Sequence, residues 1–267
     1  MAEGFLRLTR NWPESVAVAT LRDSDAVSHK KHRLACRRIN QCFLSTCFQN
    51  VRRDWMIVEN PVQITEDELR KMGKEARGHI KKIYLHWTTG HYGEVDNLYH
   101  LCVDQDGRVF VNCKTFSALK RHTWLRSQHS VAVALCCCAD ANCWIPANCN
   151  AKKVKGAYAN CRNEHPECAL VNYGPEPPTT LQVEMMANVV AVLADALGIA
   201  IGKDTVIIHC EIAFNDGYGP GEDDLAMCWD LWFLPDPLRP GEVVPGGDLV
   251  RSKAKKYLKQ LQKTAGA

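Results

Sequence analysis

The sequence predicts an α/β fold, a single domain built on a mixed central β-sheet flanked by helices. Three observations carry this expectation. Apolar segments of strand length alternate along the chain with segments of helical character. Two of the helices open with capping boxes, Thr65 with Glu68 and Thr179 with Gln182. The run Ser130–Cys136 is apolar almost without a break, the mark of a strand buried on both faces.

Taken in order, residues 1–58 read as an extension. Arg and Lys outnumber Asp and Glu there, Cys36, Cys42 and Cys47 fall within it, and periodicity is poor. The basic balance leaves a targeting or partner-binding arm open beside a partly ordered tail. The main domain is expected over 59–240. Its first helix runs from Thr65 to about Arg77, where Gly78 stops it. Ile80–Trp87, rich in β-branched and aromatic residues, reads as a strand that ends at His86 and Trp87. Leu98–Val103 and Arg108–Asn112 flank Asp104-Gln105-Asp106-Gly107, a hairpin turn. A long Cys-rich loop follows the Ser130–Cys136 strand. The second helix then extends to Leu197, with Gly198 at its end, and its apolar positions cover more than one face. Thr205–His209 is another short strand. A Gly- and Asp-rich loop leads to Trp229-Asp230-Leu231-Trp232 and a Pro-rich stretch. Residues 241–267 carry a basic amphipathic helix, about Leu249–Gln262, packed on the domain or appended to it. There are no internal repeats.

Bulk properties narrow the classes of function. The 267 residues are 46% hydrophobic and 24% charged, enough apolar material for a sizeable core. A net charge of +3 is too small to argue for nucleic acid. No apolar run approaches the roughly 18 to 20 residues of a membrane span, and no membrane association is expected. The apolar stretch Val16–Leu21 is too short for a secretory signal, so the chain is expected to be cytoplasmic when made. A monomer is expected. Seven of the 14 cysteines fall between Cys136 and Cys168. No CxxC pair occurs, so free thiols are expected there; a second metal site in the 136–168 segment is the less favoured alternative.

His86 and His209 each sit at the C-terminal end of an expected strand, and adjacent strand ends of an α/β sheet open onto one edge. A catalytic metal of the zinc type needs three protein ligands and one open position. Asp230 is the natural third ligand, and Cys228 and Cys210 compete for that place because thiolates also bind such ions.

His86-Trp87-Thr88, Tyr99-His100, the Asp106-Gly107 hairpin and His209-Cys210-Glu211 together resemble the N-acetylmuramoyl-L-alanine amidases. These are the zinc amidases related to phage lysozyme-type endolysins and to the peptidoglycan recognition proteins. The stretch His122–Ser130, leading into Val131–Leu135, is similar to that family's His-containing loop and central strand. Gly217-Tyr218-Gly219-Pro220 and Cys228-Trp229-Asp230-Leu231 resemble the closing loop of its bacterial and phage branch. The likeness is spread over separate segments between residues 62 and 237.

The resemblance implies an amidase/peptidoglycan-recognition-like domain holding one catalytic Zn2+ on His86, His209 and Asp230. It implies that Tyr99 holds or protonates the tetrahedral intermediate, and that His122 lies beside the groove as a contact to the intermediate or the sugar. The substrate it implies is peptidoglycan, cut between N-acetylmuramic acid and L-alanine, by an endolysin or a wall-remodelling enzyme. Two positions depart from the family pattern. No carboxylate stands on the strand after the His-containing loop, where Ala134 and Cys136 flank Leu135, and Cys228 replaces the usual Lys, Arg or Thr. These departures keep a catalytically weakened peptidoglycan-binding module as the alternative. A cysteine hydrolase is a further alternative, although no Cys sits in a nucleophile turn. Glu211 is two residues from His209, on one face of an extended segment, and is a candidate to orient that ligand. His91, His100 and His129 read as structural or exposed. Trp87, Tyr92, Trp124 and Tyr218 are candidates to line a sugar groove, with core packing as the competing reading for Trp87.

Overall fold

The computed structural model describes residues 7–8, 56–123, 125–144, 170–215 and 230–265. The chain divides into two units, Met1–Thr9 with Val58–Ala267, and Arg10–Ile57. Only Met56 and Ile57 of the second are described, so the account concerns the first. Its elements begin with β1 (Arg7–Leu8), β2 (Val62–Gln63), α1 (Glu66–Glu75), β3 (Lys82–Trp87), β4 (Leu101–Val103) and β5 (Val109–Val111). Next come β6 (Ser130–Leu135), β7 (Asn142–Trp144), β8 (Leu170–Asn172), α2 (Thr180–Leu197) and β9 (Val206–Ile208). The chain closes with α3 (His209–Asn215), β10 (Phe233–Pro235), β11 (Glu242–Pro245) and α4 (Gly246–Ala265).

The α/β architecture is present. Six strands form a mixed sheet in the order β2-β5-β4-β6-β3-β9. Its centre is parallel, from β4 through β6 and β3 to β9, while β5 and β2 add an antiparallel edge. The β4–β5 hairpin turns where the sequence places it, with Gly107 at φ 80° and its N–H donating to Asp104 O at 2.9 Å.

Side-chain alternation divides the sheet into two unlike faces. Ile83, Leu85 and Trp87 of β3, with Val131, Val133 and Leu135 of β6, join the main core under α1, α2 and α4. α1 and α2 start at the expected capping boxes, Thr65 accepting from Glu68 N and Thr179 from Gln182 N. α1 crosses α2 so closely that a Cβ on Gly73 would stand 2.7 Å from Ala196 Cβ. The opposite face carries Tyr84, His86, Cys102, Ala132, Ala134 and Cys136, and the candidate site lies there.

Several expectations are corrected. The long Cys-rich loop contains the antiparallel pair β7–β8, and the Pro-rich stretch contains β10 and β11. Within β10 and β11 proline sits only at the strand ends, Pro235 and Pro245, where a missing N–H is tolerated. The backbone of β1 pairs in parallel with β11, so part of the expected N-terminal extension belongs to a sheet. α4 begins at Gly246 rather than Leu249 and packs on α2. An apolar run of membrane-span length does occur: α2 has 18 residues with a mean hydropathy of 1.4, and 67% of it is buried in the core. The segment after β9 is helix α3, not extended chain.

Candidate metal centre

Register alone brings the two histidines together. β3 and β9 run parallel with Leu85 opposite Ile208, so the next residue on each, His86 and His209, emerges at the same edge. Their ring centroids are 4.9 Å apart. Asp230 arrives from the segment before β10, followed by Leu231, which takes a left-handed φ of 59° and is wholly buried. A non-glycine residue held there costs on the order of 1–3 kcal/mol, and burial of the Leu231 side chain in the main core offsets it.

The Asp230 carboxylate lies between the imidazoles. His86 Nδ1 is 2.9 Å from Oδ2, and His209 Nδ1 is 3.1 Å from Oδ1. All three residues are buried, and their ligand atoms fall within 4.8 Å of one another. Burial alone would raise the Asp230 carboxyl, but the neighbouring His209 first, and then His86, hold it below the usual carboxylate range. Burial pushes His86 down against the opposing pull of Asp230, which favours the neutral imidazole that a metal requires. One ionised carboxylate and two imidazoles, buried and convergent, form a donor set that could hold a divalent metal ion.

Polar side chains back His86 on the side away from Asp230. Its Nε2 is 3.4 Å from Thr123 Oγ1, and Thr123 Oγ1 is 2.9 Å from His122 Nδ1. His122 Nε2 is 3.2 Å from Ser130 Oγ. The small side chains of Ala132 and Ala134 leave room on this face for the imidazoles. Tyr99 packs against His86 with ring centroids 5.0 Å apart, and its hydroxyl makes only a long contact, 3.5 Å, to Trp87 O. Burial pushes the Tyr99 hydroxyl well above its ordinary pKa, so it keeps its proton.

The structure thus brings His86, His209, Asp230, Tyr99 and His122 into one cluster. His122, however, is buried with both ring nitrogens engaged by Thr123 and Ser130. It packs edge-on against His86, with ring centroids 5.3 Å apart. Glu211 is engaged from α4. Its carboxylate receives both Nη atoms of Arg251, at 2.9 and 2.7 Å, and accepts from Ile208 N at 3.2 Å. Arg251 also donates to Val206 O at 3.0 Å, so this clamp from α4 fixes the end of β9 from which His209 projects.

Trp87 lies in the main core against Tyr173, and Tyr92 packs on that core with its hydroxyl donating to Pro177 O. Neither lines the metal centre. His100 is structural: Nδ1 accepts from Ala132 N–H at 3.0 Å and Nε2 donates to Ala118 O at 2.8 Å. His91 is exposed and bonded to Glu176, and His129 packs on His79. Cys210 packs into the main core. Cys102, Cys113, Cys136, Cys137 and Cys138 carry free thiols. Trp124, Tyr218, Gly217–Pro220, Cys228 and the cysteines at 149, 161 and 168 lie outside the described residues. Thr123, Ser130 and Arg251 are the supporting residues that sequence reasoning missed; the only available signal for Thr123 was its place beside His122. No family model, curated protein or solved structure matches the chain.

Proposed function

We infer that this chain is a zinc-dependent amidase that cleaves peptidoglycan between N-acetylmuramic acid and the L-alanine of the stem peptide. One observation carries the reading: His86, His209 and Asp230 converge, buried, at one edge of a parallel sheet, with Tyr99 packed on the first of them. The motif resemblance set out above assigns a zinc amidase to that combination. When bound, Zn2+ polarises an amide carbonyl and lowers the pKa of a coordinated water to about 7.

The chain's own residues account for the remaining work. Asp230 supplies the anionic charge of the donor set, and the clamp of Arg251 on Glu211 steadies the strand end that carries His209. Tyr99, neutral and with a lightly engaged hydroxyl, donates a hydrogen bond to the oxygen on which charge develops as water adds to the carbonyl. Water contributes hydroxyl to the lactyl carbonyl of N-acetylmuramic acid and a proton to the departing L-alanine amine. The exposed basic residues Lys114, Arg121 and Arg126, in the segment between β5 and β6, suit an anionic polymer.

The test is release of stem peptide from purified sacculi by the zinc-loaded chain. The expected products carry a new N-terminal alanine, and His86→Ala abolishes their release. Binding to sacculi without release of peptide defeats the enzyme reading and leaves the binding module. Cleavage confined to small soluble muropeptides replaces the endolysin role with wall recycling.

A further inference from the structure

We propose that Thr123 is a positioning residue for the metal centre, whose hydroxyl fixes the tautomer of His86 so that Nδ1 faces the cation. The inference rests on the metal-site reading above and extends it to residues outside the ligand set. His86 turns Nδ1 toward Asp230, and its other nitrogen, Nε2, meets Thr123 Oγ1 at 3.4 Å in a buried setting. An imidazole that gives Nδ1 to a metal carries its proton on Nε2, and that proton needs an acceptor.

Thr123 Oγ1 provides the acceptor, and the rest of the chain of hydrogen bonds is consistent in direction. The Thr123 hydroxyl donates onward to His122 Nδ1 at 2.9 Å, His122 Nε2–H donates to Ser130 Oγ at 3.2 Å, and Ser130 donates to Ser127 O at 2.9 Å. Every donor from His86 Nε2 to the Ser130 hydroxyl then has an acceptor, and the sequence of bonds ends on a backbone carbonyl. The threonine itself is held from both sides. Ser127 Oγ accepts from Thr123 N at 3.1 Å and donates to Thr123 O at 2.8 Å. The His122–Ser130 segment is therefore built to aim one hydroxyl at the back of a metal ligand.

Thr123→Val keeps the shape and removes the hydroxyl; Thr123→Ser restores it. Zinc affinity of the full chain, measured by competition with a chromophoric chelator, is expected to fall about 10- to 100-fold in Thr123→Val. In Thr123→Ser it returns to within a few-fold of wild type. A purely structural role for the side chain predicts no such rescue. Equal zinc affinity in wild type and Thr123→Val overturns the proposal, as does a Thr123→Ser variant as weak as Thr123→Val. A second measurement needs no variant: long-range proton–nitrogen NMR of the zinc-loaded wild type should show His86 protonated on Nε2, and a bare Nε2 overturns the proposal. A wild-type chain that takes up no zinc sinks this inference and the metal reading together. A chain that binds zinc in the expected pattern but releases no stem peptide sinks only the amidase reading.

Discussion

On one side of the central sheet Leu85, Trp87, Val133 and Leu135 share one apolar core with Val189, Val190 and Leu193 of α2, all buried. On the other side the same strands present Tyr84, His86, Ala132, Ala134 and Cys136. The first face is filled by branched aliphatic side chains whose contribution is transfer from water and close packing. The second is filled by imidazoles and by the space that alanines leave for them, and its interactions are directional. The difference teaches that apolar packing and directional polar contacts are allotted to opposite sides of single strands, residue by residue, at a period of two.

Substitutions on the two faces should therefore fail in different ways. The largest stability effect belongs to the helical face: Leu85→Ala should cost about 2–5 kcal/mol in denaturant unfolding, while the folded fraction keeps its zinc affinity. A loss of zinc affinity as great as that of a ligand variant would show that the faces are not separable.

Acid provides the next effect, on the order of 3 kcal/mol. Burial holds His100 down to about 4 from an ordinary 6.5. The unfolded chain takes up that proton first, so the contribution of the neutral ring is fully present above pH 6.5 and is lost as pH falls toward 4. His100→Asn should remove this part of the pH dependence, seen as a flatter unfolding midpoint over the same interval. An unchanged slope would place the acid sensitivity elsewhere.

The smallest effect sharpens the contrast most. Ala134 stands in register with His86 on the neighbouring strand. Ala134→Leu overfills that space, with an expected cost of about 1–3 kcal/mol, less than Leu85→Ala. Unlike that change, it should also weaken zinc binding, because it displaces His86. Zinc titration of both variants separates the two outcomes.

The helical face was largely legible in the sequence. α1 and α2 announce themselves by capping boxes, and β3 and β6 by runs of apolar residues, because local hydrogen bonding and burial leave a periodic trace. β10 and β11 were not, since Pro235 and Pro245 at their ends give the same composition as a loop. In the candidate site, His86 and His209 were visible as polar residues closing apolar strands. Thr123 was invisible for a physical reason: its partner His86 lies 37 residues away, and no local pattern encodes a contact made across the sheet. The pairing of Glu211 with Arg251 leaves no trace in its spacing from His209, because the helix α3 and a partner 40 residues away set it.

Central to the proposed function is that two imidazoles and a carboxylate share a single cation. Elemental analysis of the purified chain, loaded with zinc and then dialysed, tests it most directly. One tightly held ion per wild-type chain is expected, and none in Asp230→Ala. A wild-type chain that retains no metal, or an Asp230→Ala chain that retains as much as wild type, contradicts the account.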